Sequence, residues 1–280
     1  MLRILLPTDF SDNAYNAIAY ALQLYAKSTC TFYLLHTYTP AVYRAEYILQ
    51  SPGQFGLGDV YQTLAMNRLD KLRKKLVEAF PNPRHNLVPH AAFNTLVDEV
   101  QEVVNNENID IVVMGTQGAT GAKEIFLGTN TVHVMKKVGV PLLVIPPNKA
   151  FENIERIHFP TDYEVDYNEG NLKMLFHVAK EHSSSIEVMH VSTGYELTDD
   201  QKKNKVKLQK MLKGLPHRFH DWPSEEIITA INRFHQEHGT QLLAMVRNKH
   251  TFIERLFVEP IIKKISFHAT IPFLVMPQEP

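Results

Sequence analysis

The stretch IVVMGTQGATGAKEIFLGTNTVHVMKKVGVPLLVIP, residues 111–146, decides how the chain folds. Ile111 to Met114 is an apolar run of buried-strand length, and Leu142 to Ile145, introduced by Pro141, is another. Between them lie Gly115, Gly118 and Gly128, and then helical spacing from Thr129 that puts Val132, Val134, Met135 and Val138 on an apolar side and ends near Gly139. A strand, a glycine-rich loop and a helix N-terminus together suit an anion. Glycine lets backbone N–H groups approach without a Cβ in the way. The first helical turn supplies unpaired N–H donors and the positive end of a dipole. Thr129 and Asn130 add side-chain donors there. Taken alone, such a glycine pattern describes ordinary turn chemistry equally well.

Upstream, LRILL (2–6) reads as a strand ending in Pro7-Thr8-Asp9-Phe10-Ser11. A helix capped by Ser11 or Asp12 follows, with Ala14, Ile18, Ala21, Leu22 and Tyr25 on one face, and then a strand, TFYLLHT (31–37). Residues 38–58 carry Pro40, Pro52, Gly53, Gly56 and Gly58, which exclude a long regular element; a lid or contact surface and a plain excursion are equal readings. A helix over 59–79, with Leu64, Leu69, Leu72 and Leu76 inward, ends at Pro81 and Pro83. A strand within 86–93 and a helix over 95–106, with Leu96, Val97, Val100, Val103 and Val104 as its apolar side, lead to Asp110. Alternating strands and helices with short joints predict parallel strands and right-handed crossovers. Ligands of such sheets sit beyond the carboxyl ends of strands, where strand order reverses. Asp9 is suited to accept hydrogen bonds from a base amine or ribose hydroxyls, and also to cap the first helix.

The pattern resets near 147–153. RIHFPTDY (156–163) repeats RILLPTDF (3–10), VAKEHSSSIEVMHVS (178–192) echoes YAKSTCTFYLLHT (25–37), and FLVMP (273–277) repeats LLVIP (142–146). A unit of roughly 140 residues is duplicated, each copy large enough for its own core. The expected domains are 1–148 and 149–280. The second copy keeps Asp162 but has Val246 for Gly115, Lys249 for Gly118, Glu259 for Gly128 and Pro260 for Thr129. Pro260 removes a helix donor, although it suits the first helical position. Glu259 places a carboxylate where a phosphate would lie, which the helix dipole favours. The expectation is one binding site per chain, the second being filled from within by Glu259 with Arg247 or Lys249.

Among 280 residues, 29 basic and 30 acidic side chains leave a formal charge of −1, which predicts neither nucleic acid nor an anionic membrane as main partner. No apolar run approaches the roughly 18 residues of a span. A strand starting within two residues of Met1 predicts no signal peptide, and a single cysteine, Cys30, reads as a small buried hydrophobe; both fit a cytoplasmic location. Fourteen histidines include two pairs with ligand-like spacing, His217/His220 and His235/His238, read as surface residues rather than a metal site. His36 and His190 share one repeat position, which predicts a structural hydrogen bond. Lys123 reads as a solvated loop lysine, with reach to a phosphate as the alternative. No P-loop and no G-x-S-x-G elbow is present, so no catalytic set stands out.

The spacing Gly115, Gly118, nine residues, Gly128-Thr129, together with PTDFS, LLH and GTQG…LGT, resembles the universal stress protein family. The resemblance implies two tandem doubly wound parallel five-stranded sheets, Rossmann-like and of the adenine nucleotide alpha hydrolase type, each ordered 3-2-1-4-5. It implies that Pro7, Thr8 and Asp9 line the adenine end, with the Thr37 backbone beside the base. Met114 and Gly115 would lie near the ribose, and Gln117, Gly118, Gly128, Thr129 and Asn130 would hold phosphate. The implied ligand is ATP, with or without Mg2+, or AMP or another adenine nucleotide. The implied role is a stress-responsive sensor or signalling module with a protein partner of unknown identity. A slow ATP hydrolase, with Asp9 or Thr129 placing a metal, and a scaffold without nucleotide are the alternatives. The family's last strands commonly pair between subunits, which here implies an internal pseudo-dimer, with a homodimer of whole chains as a further assembly.

Overall fold

The computed structural model describes residues 1–38, 57–116, 128–192, 196–223, 227–247 and 271–278. The expectations placed on 39–56, Gln117, Gly118, Lys123, Lys249, Glu259 and Pro260 lie outside the described residues.

The first half runs β1 (Leu2–Pro7), α1 (Asp12–Leu24), β2 (Cys30–Thr37), α2 (Leu57–Ala79), β3 (His85–Ala92), α3 (Leu96–Asn106), β4 (Ile111–Gly115), α4 (Thr129–Lys137) and β5 (Leu142–Ile145). The second runs β6 (Arg156–Pro160), α5 (Glu169–His182), β7 (Ser185–Ser192), α6 (Asp199–Met211), β8 (His217–Pro223), α7 (Ile227–His238), β9 (Leu242–Arg247) and β10 (Phe273–Pro277). One ten-stranded sheet results, ordered β3-β2-β1-β4-β5-β10-β9-β6-β7-β8. Each half is therefore a parallel set in the order 3-2-1-4-5. The halves join where β5 and β10 pair antiparallel, with Leu143 opposite Leu274.

The central strands are predominantly apolar because both faces of the sheet are covered. Ile4, Leu5 and Leu6 of β1 and Val112 and Val113 of β4 are buried. Residues of α1, α2, α5 and α6 pack on one face, those of α3, α4 and α7 on the other. The first of these layers is continuous across the junction, where α1 meets α5. There Tyr25 Oη donates to Met174 Sδ at 3.5 Å, His182 Nε2 to the Leu24 carbonyl at 2.8 Å, and Ser28 Oγ to Glu181 Oε2 at 2.6 Å.

Two helical faces differ from the sequence reading. Leu64 is 54% exposed, and the inward stripe of α2 is Ala65, Leu69, Leu72 and Leu76. In α4 the most buried positions are Thr131, Val134, Met135 and Val138, with Val132 turned partly outward. In both, the i, i+3, i+4, i+7 geometry of a helix overrides side-chain hydrophobicity at one position, admitting Ala65 and Thr131 in place of larger apolar neighbours.

Candidate functional site

At the carboxyl edge of the first half, strand order reverses between β1 and β4. A cavity of about 380 Å³ opens there. Of the residues singled out in the sequence, Pro7, Thr8, Asp9, Thr37, Met114, Gly115, Gly128, Thr129 and Asn130 all line it, joined by Ala14, His36, Leu96 and Thr131. Motifs far apart in the chain thus converge because β1, β2 and β4 end side by side and α4 starts above them. Sequence reasoning missed Ala14, Leu96 and Thr131 as site residues. Each belongs to the first turn of a helix that begins at this edge, so the helix starts already carried the signal.

The Pro7-Thr8-Asp9 turn is held by local hydrogen bonds. Thr8 N–H donates to the Leu35 carbonyl at 2.7 Å, and its Oγ1 accepts from Phe10 N–H at 3.0 Å. Asp9 Oδ1 accepts from Ser11 N–H at 3.0 Å, and Ser11 Oγ caps α1 by accepting from Ala14 N–H at 3.2 Å. The cap is therefore Ser11, and Asp9 braces the turn that leads to it while standing exposed at the cleft. Phe10 adopts a left-handed backbone, φ 65°, uncommon for a bulky residue. Its ring packs against His36 at 4.5 Å and beneath the Arg68 guanidinium at 4.0 Å. His36 Nδ1 lies 2.8 Å from the Thr8 carbonyl, an acceptor, so that nitrogen carries the proton. Desolvation holds the His36 ring below the usual histidine value, with Arg68 adding to the effect against the Thr8 bond and Asp9, so the imidazole is neutral at pH 7.

On the opposite wall, α4 begins at Gly128, which makes no side-chain capping bond. By contrast α1, α3, α5 and α6 are capped by the side chains of Ser11, Thr95, Asn168 and Thr198. Without a described side-chain cap, the amides of the first turn of α4 suit a ligand or water. The loop is pinched at its base, where Gly128 N–H donates to the Thr116 carbonyl at 2.5 Å; Thr131 Oγ1 donates to the Gly115 carbonyl at 3.0 Å. Gly115 has a further reason to be glycine: a Cβ there would stand 2.5 Å from Asn13 Nδ2. Close approach of α1 to β4 favours it, independently of any ligand, since a larger residue must move the Asn13 side chain. Asp9 is the one acidic side chain among the described lining residues, and no lysine or arginine lines the cavity among them.

The matching edge of the second half repeats the turn and then closes it. Tyr163 has φ 60°, stacks on His190 at 5.0 Å, and its N–H donates to Thr161 Oγ1 at 3.0 Å. His190 Nδ1 bonds the Thr161 carbonyl at 3.1 Å, so the two repeat-related histidines do the same structural work. Here α6 sits on the turn: Gln201 Nε2 donates to the Asp162 carbonyl at 3.0 Å and Asn204 Nδ2 to the Tyr163 carbonyl at 2.9 Å. The helix cap follows six positions after Asp162, against two after Asp9, and the added residues bury Val165 and Tyr167, whose hydroxyl bonds Thr161 Oγ1. Burial pushes the Asp162 carboxyl up, the Glu164 and main-chain bonds opposing it. Val246, in place of Gly115, is buried. Arg247 reaches across the junction: its Nη1 donates to the Met135 carbonyl in the last turn of α4. A cation suits that carbonyl end of the helix dipole.

The paired histidines are half-buried, each held by a neighbour. His220 bonds Glu187 at 2.8 Å, His235 bonds Thr240 at 2.9 Å, His217 bonds the Leu215 carbonyl at 2.8 Å, and His238 stacks on Phe234 at 4.1 Å. Among the described residues no group of three or more His, Cys, Asp or Glu could hold a metal ion. Cys30 is buried, its thiol pushed up to about 12 by desolvation. No described helix is long and apolar enough to cross a membrane.

Fold and cleft together define a doubly wound α/β protein with an anion-accepting edge at its topological switch point. The universal stress protein family model matches residues 1–146, more than half of the chain, and the chain belongs to that family. The universal stress protein MJ0577 of Methanocaldococcus jannaschii is 27% identical over 158 residues, covering 51% of this chain and 93% of the relative. MJ0531 of the same organism is 24% identical over 148 residues, covering 52% and 83%. Over the whole length, the crystal structure of a universal stress protein from Archaeoglobus fulgidus superposes with a TM-score of 0.72 at 17% identity, covering 99% of this chain and 98% of that one. A protein of unknown function from Pseudomonas aeruginosa gives 0.61 at 12%, covering 99% and 92%. Both likenesses concern the fold.

Proposed function

We propose that the chain binds one adenine nucleotide, ATP or a lower phosphate such as AMP, in the first-half cleft and acts as a cytoplasmic stress sensor that presents the bound state to a protein partner. The observation that carries this reading is the uncapped start of α4 facing the Pro7-Thr8-Asp9 turn across a cavity of about 380 Å³. That volume falls in the range of roughly 300–1,000 Å³ typical of small-molecule sites. The phosphates would meet the α4 amides with the Thr129 and Asn130 side chains, and beyond the described residues Gln117 and Gly118. The base and ribose would lie toward Asp9, Thr37 and Met114. With Asp9 as the single described carboxylate, Mg2+ would arrive on the triphosphate rather than in a protein cage.

In this reading domains 1–148 and 149–280 form a pseudo-dimer about the β5–β10 pair, the second contributing structure rather than a second nucleotide site. The test is direct. Purified protein is heated, and the supernatant is assayed by absorbance and chromatography for adenine nucleotide; the apoprotein is then titrated with ATP and AMP by calorimetry. One site per chain is expected, and absence of binding to both nucleotides overturns the proposal.

A further inference from the structure

The second half holds an ionisable group that the nucleotide reading does not use. His158 lies on β6, wholly buried, and neither ring nitrogen has a hydrogen-bond partner among the described residues. Its ring is stacked on Phe234 of α7 at 4.4 Å, and Phe234 is stacked on His238 at 4.1 Å. His220 of β8 meets both Phe234, at 5.0 Å, and His238, at 5.2 Å. The repeat-related position in the first half is Leu5: it pairs with Val112 as His158 pairs with Leu243. A leucine thus fills this place in one copy, and in the other an imidazole with no described hydrogen-bond partner.

We propose that His158 is an acid-released catch: protonation of its ring, which has no described acceptor between β6 and α7, drives α7 off the sheet and uncovers the apolar Ala230, Ile231 and Phe234. The groups around it favour release. From α7 come His235 and His238, with Arg233 and Glu237 paired on the outer side; from β8 come His220 and Arg218; β9 offers apolar Leu243. Glu187, beside His158 on β7, is engaged by His220 at 2.8 Å and by Ser185 Oγ at 2.8 Å. Desolvation, reinforced by His235, His238 and His220, holds His158 down at about 3. Since the unfolded chain takes up that proton near 6.5, the catch is fully closed above 6.5, and its contribution falls about tenfold in equilibrium constant per pH unit below it. His182, His235, His36 and His85 are also held low by burial and add a shared background, so the difference between variants isolates His158.

Trp222, the single tryptophan, lies 5.3 Å from Phe234 and reports on α7 directly. Lowering the pH from about 7.5 to about 5 is expected to red-shift Trp222 emission and to speed amide exchange in α7 of the wild-type protein, with the transition at least one pH unit lower in His158→Leu. The same transition in both proteins overturns the proposal. A wild-type measurement keeps the test open should the variant misfold: ring-nitrogen NMR showing His158 titrating near 6.5 in the folded protein overturns it, and a ring still neutral while the other imidazoles charge supports it.

Discussion

Asp9 and Asp162 stand at the same turn of two copies of one unit; the first lines a cleft, and the second lies under a helix that bonds its carbonyl. The local chemistry around them is nearly identical: a threonine hydroxyl accepting from an aromatic N–H, a left-handed aromatic residue, and a histidine bonded to the threonine carbonyl. What separates them is what lies above. Among the described residues, Arg68 of α2 covers the Phe10 ring, whereas Gln201 and Asn204 of α6 bind the second turn's carbonyls. A conserved turn is therefore compatible with either an open or a closed edge. Its neighbours decide which.

The largest break in this comparison is expected from Gly128→Glu, which gives the first half the residue that its copy carries at 259. Gly128 has an ordinary negative φ of −59°, so the change adds no backbone strain. A carboxylate at the α4 amides should lower nucleotide affinity by about 100-fold, ~2.7 kcal/mol, in a calorimetric titration while leaving the thermal midpoint within a few degrees. Two equal sites in the wild-type titration would show instead that the copies do not differ in function.

Gly115→Val, again a transplant from the second half, tests packing. Its side chain must displace Asn13, and the expected cost is about 1–3 kcal/mol in urea unfolding. Adding Asn13→Ala should recover much of that loss; if it does not, α1 approaches β4 for another reason. Asp9→Asn should weaken binding by roughly tenfold, about 1.4 kcal/mol, with little change in stability.

The smallest effect is expected at Asp162. Its folded carboxyl titrates above the unfolded value of 3.8, so the folded state holds its proton longer, and ionisation costs stability as pH rises through that window. Asp162→Asn should therefore be slightly stabilising at pH 7 and neutral below pH 3.8. Loss of stability at pH 7 would mean that the charge itself is needed.

Much of the architecture was legible from periodicity. Buried runs such as Ile111 to Met114 and the duplicated RILLPTDF and RIHFPTDY set the strand sequence and the repeat, because burial on both faces favours apolar residues at most strand positions. Nine of the eleven expected site residues line one cavity, since strand ends and helix starts meet at the switch point whatever the loops between them do. Helix faces were less legible: Leu64 is exposed while Ala65 is buried, a distinction of one position that hydrophobicity cannot make. The bond from Arg247 to the Met135 carbonyl was not legible in the sequence, because the two lie in different halves, 112 residues apart.

The amino-acid order by itself determined that two α/β units follow one another, and which one retains glycines where a backbone must come close. Only the folded molecule decided that α6 would cover the second turn and that His158 would be sealed against Phe234. The physical reason is range. Propensity and periodicity act within a few residues, whereas desolvation and packing depend on which distant surfaces the topology brings together.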